Sequence, residues 1–473
     1  MKKVVIIGGG IAGLSLAYNL LLHARLRHIG DLAVTLLEKS ERPGGNIRTE
    51  RINGFLIEGG PDCFLSEKPW AMELCKSLGL SDRLLPTKEA RGKTYVFSSG
   101  RLHLLPEGVI LMVPTKILPL LTSTLITFRG KLRMALELFI PKRKEKGDET
   151  LSDFVRRRLG AEALEKIAEP LVAGVHAGDA DTMSVKASFP RFVELEENYG
   201  SLIRGMLARR RTAQGGKTAS GITMFMTLKG GLGELVDKIV EELEGVSIGT
   251  KKNVRGIVKK NTGYEVLIEG EPSLHAHSVV VATPAYVAAG IVKGMDSALS
   301  AKLLNIPYAS TATVSMGYKR KDLKEPLNGF GFVVPGAENR KIMAATWSSE
   351  KWEGRAPGDS VLIRCFVGGA KKGELVFLSD KEMAETVKGE LKEIMGIEAE
   401  PVLVKIFRWE KAMPQYVVGH GERIKEIEEL MSKHPGLYLT GSAYHGIGIS
   451  DTVREAEVAA KKVLRYLEVG IPA

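Results

Sequence analysis

Three glycines near the start of the chain have the spacing of a turn that holds nucleotide phosphates. Gly8, Gly10 and Gly13 follow the β-branched run at residues 4–7 and precede a helix-forming segment that extends to Leu22. Glycines at these positions permit a tight turn and let a pyrophosphate approach the N-terminus of the helix. The motif alone has low specificity, so it indicates a dinucleotide site only together with further residues.

An acidic residue and a second pair of glycines strengthen that indication. The predicted strand at residues 33–37 ends at Glu38, whose carboxylate can accept hydrogen bonds from both ribose hydroxyls of an adenosine. Gly44 and Gly45 then let the backbone pass close to a diphosphate and a ribityl chain. Taken as one unit, residues 8–49 predict a fold that binds FAD, in preference to a surface turn or to NAD as the only cofactor.

The composition is that of a folded protein large enough to enclose a cofactor. The chain has 473 residues, of which 44% are hydrophobic and 26% charged, and this length predicts two or three interleaved domains. Its three cysteines, Cys63, Cys75 and Cys365, contain no CxxC pair, so neither a disulfide framework nor a zinc ribbon is expected. A reducing, cytoplasmic compartment fits this cysteine usage.

A basic excess is concentrated in one part of the chain. The formal net charge is +11, and between Pro86 and Lys146 twelve Lys or Arg residues stand against four Glu. The same part contains an apolar segment at residues 108–128, which Pro114 and Pro119 make a poor candidate for a straight spanning helix. A helix lying on an anionic membrane surface and a helix pair buried in a soluble domain are both left open.

The order of predicted strands and helices indicates an α/β fold with two insertions. Residues 1–85 have the pattern of strand, helix and strand, residues 215–290 return to that pattern, and residues 425–473 close it with a strand and a helix. Together these stretches predict a Rossmann-like FAD-binding domain. Apart from a predicted strand at residues 94–98, residues 86–214 predict an inserted helical, basic domain, and residues 291–424 predict an inserted mixed-sheet domain that binds substrate.

Five segments, in order along the chain, resemble flavin oxidases of the amine oxidase and protoporphyrinogen oxidase group. They are residues 58–64 (EGGPDCF), 95–106 (YVFSSGRLHLLP), 329–335 (GFGFVVP), 408–416 (RWEKAMPQY) and 441–449 (GSAYHGIGI). With the glycine motif, they identify the chain as a member of that group. The resemblance implies that the FAD-binding domain is of the amine oxidase type.

The resemblance also implies which residues contact FAD. Val254 would lie on the adenine side, Trp409 near the flavin, and residues 447–449 beside the flavin at the start of the last helix. Trp409 has an alternative interpretation as an ordinary core aromatic. The expected contacts are Gly8, Gly9, Gly10, Ile11, Ala12, Gly13, Glu38, Arg42, Gly45, Asn46, Gly60, Pro61, Asp62, Cys63, Val254, Trp409, Ile447, Gly448 and Ile449.

An apolar cavity for a porphyrinogen, oxidised to a porphyrin in haem biosynthesis, is a further implication of the resemblance. Phe330 and Val333 would hold a pyrrole face, the Gly331 carbonyl would accept pyrrole N–H groups, and Thr94 would line the same cavity. Alternatively, the glycines at 329 and 331 serve only a tight turn between strands. Because the flavin supplies the chemistry, no catalytic side chain and no metal ion are expected.

One departure from the group bears on the choice of porphyrinogen. Animal members place an arginine that clamps a propionate immediately before the segment that begins here at Tyr95, and this chain has Thr94 there. Lys93 and Arg91 are the cations that could replace it. We expect protoporphyrinogen IX, with two carboxylates, to be oxidised by oxygen or another acceptor, while coproporphyrinogen III, with four, is the alternative.

Other functional classes share parts of this pattern. An amine oxidase often carries a cysteine for covalent flavin attachment in its C-terminal segment, and residues 441–449 contain none. The segments at 329–335 and 408–416 disfavour a carotenoid desaturase, and a Rab-escort type of binding protein would have this fold without flavin. No nucleic acid partner is expected. The inner face of the cell membrane and a second copy of the chain are partners that the sequence allows.

Overall fold

The computed structural model describes residues 1–28, 30–88, 92–110, 113–114, 117–145, 147–213 and 222–469. Arg91 and the basic residues at 116 and 146 lie outside the described residues. The strands are β1 (Lys2–Ile7), β2 (Leu32–Leu37), β3 (Thr49–Ile52), β4 (Phe55–Glu58), β5 (Phe64–Leu65), β6 (Leu84–Pro86), β7 (Thr94–Ser98), β8 (Arg101–Leu104), β9 (Val109–Ile110), β10 (Val113–Pro114), β11 (Phe225–Leu228), β12 (Val246–Gly249), β13 (Val254–Lys260), β14 (Gly263–Ile268), β15 (Leu274–Ala276), β16 (Ser278–Val281), β17 (Tyr308–Lys319), β18 (Gly331–Val333), β19 (Ile342–Trp347), β20 (Ser360–Gly368), β21 (Leu403–Pro414) and β22 (Leu437–Leu439).

The α-helices are α1 (Ile11–Leu26), α2 (Trp70–Ser77), α3 (Ile117–Thr122), α4 (Phe128–Ala135), α5 (Leu151–Arg158), α6 (Ala161–Ala163), α7 (Glu169–His176), α8 (Val185–Ser188), α9 (Pro190–Tyr199), α10 (Leu202–Ala213), α11 (Gly233–Glu242), α12 (Ala285–Val292), α13 (Ser297–Leu304), α14 (Ser348–Lys351), α15 (Asp380–Met395), α16 (His420–Met431) and α17 (Ile449–Val469). A π-helical turn at Leu164–Ala168 joins α6 to α7.

A parallel sheet of five strands, in the order β12-β2-β1-β16-β22, carries the predicted nucleotide motif. Val4 and Ile6 of β1 belong to the core formed with α1 and α17, whereas Val5 and Ile7 belong to the core formed with α12 and α13. A strand that is covered on both faces needs apolar residues at every position. This explains the uninterrupted apolar run at residues 4–7.

A second sheet has seven strands in the order β21-β17-β20-β19-β18-β7-β8. Only β7 and β18 are paired in parallel within it. Met383 and Leu391 of α15 belong to the core on one face, and Val333 and Ala344 belong to the core shared with the helical part of the chain. The predicted strand at residues 94–98 is found as β7. With β8 it joins this sheet and not the helical unit, because pairing with the distant β18 leaves no local signal.

The helices between residues 117 and 213 enclose one apolar core, which includes part of the apolar segment noted in the sequence. Leu120, Leu125 and Ile126 are buried in that core, as the interpretation of a buried helix pair predicts for these positions. Of the helices that the structure describes, none is both long and apolar enough to cross a membrane.

A buried ion pair fixes this helical unit. Arg158 and Glu137 are both 0% exposed and form an ion pair, and Arg158 also donates to the carbonyl oxygens of Ile140 and Gly200 at 3.0 Å each. Glu137 in turn accepts from the backbone N–H of Leu202 at 2.8 Å. Removal of either charged partner would leave an uncompensated buried charge, at a cost of about 3–5 kcal/mol.

The predicted α/β architecture, with a helical and a mixed-sheet insertion, is confirmed by these sheets and helices. The exact domain boundaries stay a prediction, with the correction that residues 94–104 pair with the seven-stranded sheet.

Candidate functional site

The glycine turn at residues 8–13 connects β1 to α1. The Gly8 N–H donates to the Leu37 carbonyl at 2.8 Å, and Gly8 has a φ of +107°. A Cβ atom on Gly13 would lie 1.9 Å from the Gly8 carbonyl oxygen, so the turn cannot close with a side chain there. A Cβ atom on Gly10 would meet nothing nearer than the Gly45 Cα at 4.0 Å. Gly8 and Gly13 thus allow the tight turn, and Gly10 leaves open space beside it.

Glu38 faces this turn from the end of β2. Its Oε2 accepts from the Gly9 N–H at 2.6 Å, and its Oε1 accepts from the N–H and the hydroxyl of Ser40 at 2.8 and 2.7 Å. Lys252, two residues before Val254, donates its N–H to the Glu38 carbonyl at 2.8 Å. The predicted ribose acceptor and the predicted adenine contact therefore lie beside each other.

The second glycine pair lies against the first turn. The Gly44 N–H donates to the Gly9 carbonyl at 2.7 Å, and a Cβ atom on Gly45 would lie 3.1 Å from the Gly10 Cα. The guanidinium of Arg42 donates to the carbonyl oxygens of Pro43 and Ile47 at 2.9 and 3.0 Å. Arg42 therefore braces this loop, and its contact with the cofactor stays a prediction, as does that of Asn46, which is exposed here.

A further glycine turn at residues 59–63 is held by side chains of the seven-stranded sheet. The Thr313 hydroxyl and the Trp409 indole N–H both donate to the Gly59 carbonyl at 2.8 Å. The Arg364 guanidinium donates to the Gly60 carbonyl. Trp409 is thus more than a core aromatic, because it positions the turn that the resemblance assigns to the flavin.

Asp62 and Cys63, at the end of the 59–63 turn, meet α14. Asp62 Oδ2 lies 3.1 Å from Lys351 Nζ and 3.2 Å from Trp352 Nε1. Burial would raise the pKa of Asp62, but the charges of Lys351 and Arg364 outweigh it and hold the pKa below its ordinary value. Burial, together with the neighbouring Asp62 charge, raises the pKa of the Cys63 thiol to about 12. The carboxylate is therefore ionised and the thiol is neutral at pH 7.

The segment at residues 441–449 returns to the same place from β22. Gly441 has a φ of +126°, and a Cβ atom on it would be 4.0 Å from the Ala12 Cβ at the start of α1. The Tyr416 hydroxyl donates to the Ser442 carbonyl and accepts from the Gly446 N–H, both at 2.8 Å. This double contact fixes the loop that carries the predicted flavin neighbours Ile447 and Gly448, and α17 begins immediately after it at Ile449.

The cradle formed by these segments fits FAD. Gly10, Gly45 and Gly441 come from three segments, and Gly10 and Gly441 have no side chain or backbone nearer than 4.0 Å to an added Cβ atom. Among the described residues, the buried Thr440 hydroxyl, beside Gly441, has no hydrogen-bond partner. Backbone N–H groups at the start of α1 suit a pyrophosphate, and the Glu38 carboxylate suits ribose hydroxyls.

The four predicted substrate residues divide between two environments. Thr94 and Gly331 are register partners on β7 and β18, and the half-buried Phe330 donates its N–H to the Lys93 carbonyl at 2.7 Å. Val333 is 8% exposed and packs against α7 in the core shared with the helical unit. The structure therefore brings Thr94, Phe330 and Gly331 together, and places Val333 in a packed core. Their contact with a substrate stays a prediction.

The glycines around Phe330 are explained by the sheet itself. A Cβ atom on Gly331 would lie 2.0 Å from the Ala345 carbonyl oxygen, and one on Gly329 would lie 2.5 Å from the Lys93 carbonyl oxygen. β18 lies between β7 and β19, so both glycines admit a neighbouring backbone. The alternative interpretation, in which these glycines serve strand geometry, accounts for both Gly329 and Gly331. The backbones that approach them, at Lys93 and Ala345, are not those of a simple hairpin.

A family model described as flavin containing amine oxidoreductase matches residues 11–464. The chain belongs to this family. FAD is its cofactor, and the chain is an FAD-dependent oxidoreductase, which confirms the prediction drawn from residues 8–49. The flavin-free alternative of the Rab-escort type does not fit this assignment.

Relatives of this flavin containing amine oxidoreductase cover nearly its whole length. Coproporphyrinogen III oxidase of Bacillus subtilis (strain 168) is 37% identical over 468 residues, which is 98% of each chain. The chloroplastic protoporphyrinogen oxidase of Oryza sativa subsp. japonica is 30% identical over 491 residues, 98% of this chain and 88% of the relative. A crystal structure from Exiguobacterium sp. 255-15, provisionally named a protoporphyrinogen oxidase, matches with a TM-score of 0.86, 33% identity and 99% coverage of each chain. The resemblance drawn from the sequence is confirmed.

Several residues that hold the predicted flavin turn of this amine oxidoreductase carry no local motif. Thr313, Lys351 and Trp352 reach the 59–63 turn from β17 and from the region of α14, far away in sequence. Arg364 does have a signal in the sequence, because it is the one charged residue in the otherwise apolar strand Ser360–Gly368. A charge inside a buried strand requires polar partners, and this could have marked it.

Proposed function

We propose that this flavin enzyme oxidises coproporphyrinogen III to coproporphyrin III. The observation that carries the choice is the 37% identity, over 98% of both chains, to a coproporphyrinogen III oxidase, against 30% to a protoporphyrinogen oxidase. Protoporphyrinogen IX, the substrate expected from the sequence alone, is the competing candidate. Bound FAD accepts the hydride equivalents that leave the porphyrinogen, and the protein residues bind the substrate, orient it and exclude water.

A face of the seven-stranded sheet offers a site for the tetrapyrrole. Thr94, Gly331, Thr346 and Arg364 are successive register partners across β7, β18, β19 and β20, so they form one row on one face of the sheet. Arg364 ends this row at the 59–63 turn. A substrate laid along the row would extend from Thr94 towards the flavin.

His176 lies on the helical unit, and the proposed reaction assigns no proton transfer to its imidazole. Burial, with the nearby charge of Lys68, lowers the pKa of His176 to about 4, so its imidazole is neutral at pH 7. Its ring packs edge-on against Phe189 at 5.5 Å between centroids. A neutral aromatic surface of this kind suits a large, mostly apolar substrate.

Lys93 is the proposed anchor for a substrate carboxylate. Its backbone carbonyl accepts from the Phe330 N–H, which fixes Lys93 beside the GFG segment, and its side chain is exposed. It immediately precedes Thr94, the position at which the animal enzymes carry their arginine. A flexible ammonium at the rim can pair with a carboxylate of the bound tetrapyrrole.

Steady-state turnover on the two porphyrinogens tests the proposed substrate. We expect kcat/KM for coproporphyrinogen III to exceed that for protoporphyrinogen IX by at least roughly tenfold, since one additional charged contact contributes about 1.5–3 kcal/mol. Lys93→Gln should reduce this preference, whereas Lys433→Gln, which replaces an exposed lysine far away in sequence, should leave it unchanged. Higher kcat/KM for protoporphyrinogen IX would overturn the choice in favour of the competing candidate.

An anionic membrane surface is the second proposed partner, bound by α4 and the 3-10 turn that follows it at Leu136–Phe139. Phe128 is 79% exposed and Phe139 is 77% exposed, and Leu132 follows Phe128 by four residues, so it lies on the same side of the helix. Lys142 and Lys144 are exposed nearby in sequence. Exposed aromatic residues beside cations are typical of elements that lie in a lipid interface.

Co-sedimentation with vesicles tests this membrane contact. Binding to anionic phospholipid vesicles should fall with added salt and be lost in the double variant Phe128→Ser with Phe139→Ser. The control is Phe377→Ser, because Phe377 is equally a solvent-exposed aromatic, 63% exposed, but belongs to the sheet insertion. Equal binding of the double variant, or equal binding to neutral vesicles, would contradict the proposal.

Oxygen is the proposed electron acceptor and a homodimer the proposed assembly. An oxygen electrode should record consumption that scales with porphyrin formed, and absence of consumption would require another acceptor. Light scattering should give twice the chain mass of 51.5 kDa, and a mass of one chain would contradict the dimer.

A further inference from the structure

Arg364 is a buried cation without a carboxylate partner. Its side chain belongs to a residue that is 4% exposed, and it donates to the carbonyl oxygens of Gly60 and Gly59, while its Nε has no hydrogen-bond partner. Within the described part of the chain, no carboxylate oxygen lies at ion-pair distance from its guanidinium. Burial of such a charge costs several kcal/mol unless a counter-charge is present, and burial accordingly lowers the pKa of Arg364.

Arg158, another of the buried arginines, has its counter-charge within the chain. Its guanidinium forms an ion pair with Glu137 and bonds to several carbonyl oxygens. Arg364 has the carbonyl bonds and, like the buried Arg355, no ion pair among the described residues. The charges of Asp62 and Glu58 act on Arg364 only from beyond ion-pair distance, which leaves room for a closer counter-charge from a bound group.

The charges around the 59–63 turn do not balance. Asp62 is neutralised by Lys351 at 3.1 Å. Glu58 is bonded to the Thr49 hydroxyl and to the Leu232 N–H, and burial raises its pKa to about 7. Arg355 donates only to backbone carbonyl oxygens. Two carboxyl groups thus stand with three cations, Lys351, Arg355 and Arg364.

We propose that Arg364 provides the counter-charge for the negative charge that FAD acquires on reduction. A hydride brings two electrons and one proton, so the neutral oxidised flavin gains one negative charge when it accepts a hydride. A fixed cation near the ring stabilises the reduced form and raises the midpoint potential. Arg364 is attached to the turn proposed to contact the flavin, so the inference rests on that proposed contact and is independent of which porphyrinogen is oxidised.

The midpoint potential of the bound FAD is the direct readout. Arg364→Gln retains a donor for the Gly60 carbonyl and removes the charge, and it should favour the oxidised flavin by at least tenfold, a potential lower by about 30 mV for a two-electron couple. Arg364→Lys retains the charge and should stay within threefold of the unmodified enzyme. The control is Arg408→Gln. Arg408 lies on β21, two strands away from Arg364 in the same sheet, and also donates to backbone carbonyl oxygens, of Val376 and Leu378, but it forms an ion pair with Asp380.

Several outcomes would overturn the inference. An unchanged potential in Arg364→Gln with a raised KM would assign the cation to a substrate carboxylate, and equal shifts in Arg408→Gln would show a general effect of charge. If Arg364→Gln does not retain FAD, the midpoint potential of Arg364→Lys provides the test. A change in that potential equivalent to tenfold or more would contradict a role of the charge. The midpoint potential is measured without substrate, so it tests the role of Arg364 independently of turnover. If the potential shifts as expected but the enzyme oxidises neither porphyrinogen, only the proposed function is refuted.

Discussion

The two glycine turns at the predicted FAD site, residues 8–13 and residues 59–63, differ in what holds them. The first is closed by its own βαβ unit, where Gly8 bonds to Leu37 and Gly9 bonds to Glu38. The second is held by Thr313, Trp409 and Arg364, which come from another sheet. The first turn is thus a local property of the sequence, and the second depends on correct assembly of the insertion.

This difference teaches that binding and tuning of a cofactor can be separated in one fold. The 8–13 turn and Glu38 present the backbone N–H groups and acceptors that a dinucleotide needs. The 59–63 turn brings the charges of Asp62, Lys351 and Arg364 together. We therefore expect substitutions in the first region to act on FAD affinity, and substitutions in the second to act on the properties of the bound FAD.

The largest effect is expected for Gly13→Ala. The added Cβ would lie 1.9 Å from the Gly8 carbonyl oxygen, an overlap beyond ordinary overpacking of about 1–3 kcal/mol, so the Kd of FAD should rise more than roughly 100-fold. Gly290→Ala is the control, because no atom lies within 4 Å of a Cβ at that helical position. Titration of the apoprotein with FAD measures both. Tight binding by Gly13→Ala would contradict the role of this turn.

Glu38→Gln should weaken FAD binding less. The variant keeps the shape of the side chain but loses the charge of an acceptor for ribose hydroxyls, which contributes about 1.5–3 kcal/mol, or roughly 10- to 100-fold in Kd. Glu41→Gln, three residues on at an exposed ion pair with Lys251, should leave the Kd unchanged. Isothermal titration distinguishes the two, and equal affinities for FAD would remove Glu38 from the site.

Trp409→Phe tests the second turn. It deletes the indole donor to the Gly59 carbonyl, which still accepts from Thr313, so the loss should be about 1 kcal/mol. The Kd of FAD should change by no more than roughly fivefold, while the spectrum of the bound flavin shifts. A 100-fold loss of affinity for FAD would show that the second turn, like the first, determines how tightly FAD binds.

Glu58 should give the smallest effect, visible as a pH dependence. Its pKa is raised from 4.5 to about 7 by burial, so the folded state holds a proton that the unfolded state releases between these values. The stability from this group is present below about pH 4.5 and is lost as the pH rises through about 7. Glu58→Gln should therefore gain in Tm relative to the unmodified enzyme between pH 5 and pH 8.

Glu50→Gln is the matched control for that comparison. Burial would raise the pKa of Glu50, but the hydrogen bonds from Lys405 and Arg48 outweigh burial and hold this pKa below its ordinary value. A lowered pKa places the pH-dependent loss of stability below pH 5. The Tm difference between Glu50→Gln and the unmodified enzyme should therefore be constant from pH 5 to pH 8. A constant difference for Glu58→Gln as well would contradict the raised pKa.

The nucleotide half of the site could be predicted because its determinants are local. Gly8, Gly13 and Glu38 lie within 31 residues, and each has a residue type that only a few geometries explain. The family resemblance added residues 441–449 and Trp409, which the structure brings to the same region. The α/β fold followed from apolar runs such as residues 4–7, which suit a strand covered on both faces.

The rest could not be predicted because it depends on contacts between distant strands. The sequence predicts the strand at residues 94–98 but not its pairing with β18 in the other insertion. The same sheet buries Val333 against the helical unit and explains Gly331 by the approach of Ala345. The role of Arg364 rests on its missing carboxylate partner, which is visible only once the strands are assembled.

Anaerobic mixing of the FAD-loaded enzyme with coproporphyrinogen III shows whether this porphyrinogen reduces the bound flavin. The flavin absorbance should bleach on mixing, and protoporphyrinogen IX should bleach it more slowly. Because each FAD accepts a single hydride equivalent and porphyrin formation needs several, coproporphyrin fluorescence should develop only after oxygen is admitted. A flavin spectrum that remains unchanged with both porphyrinogens would contradict the account.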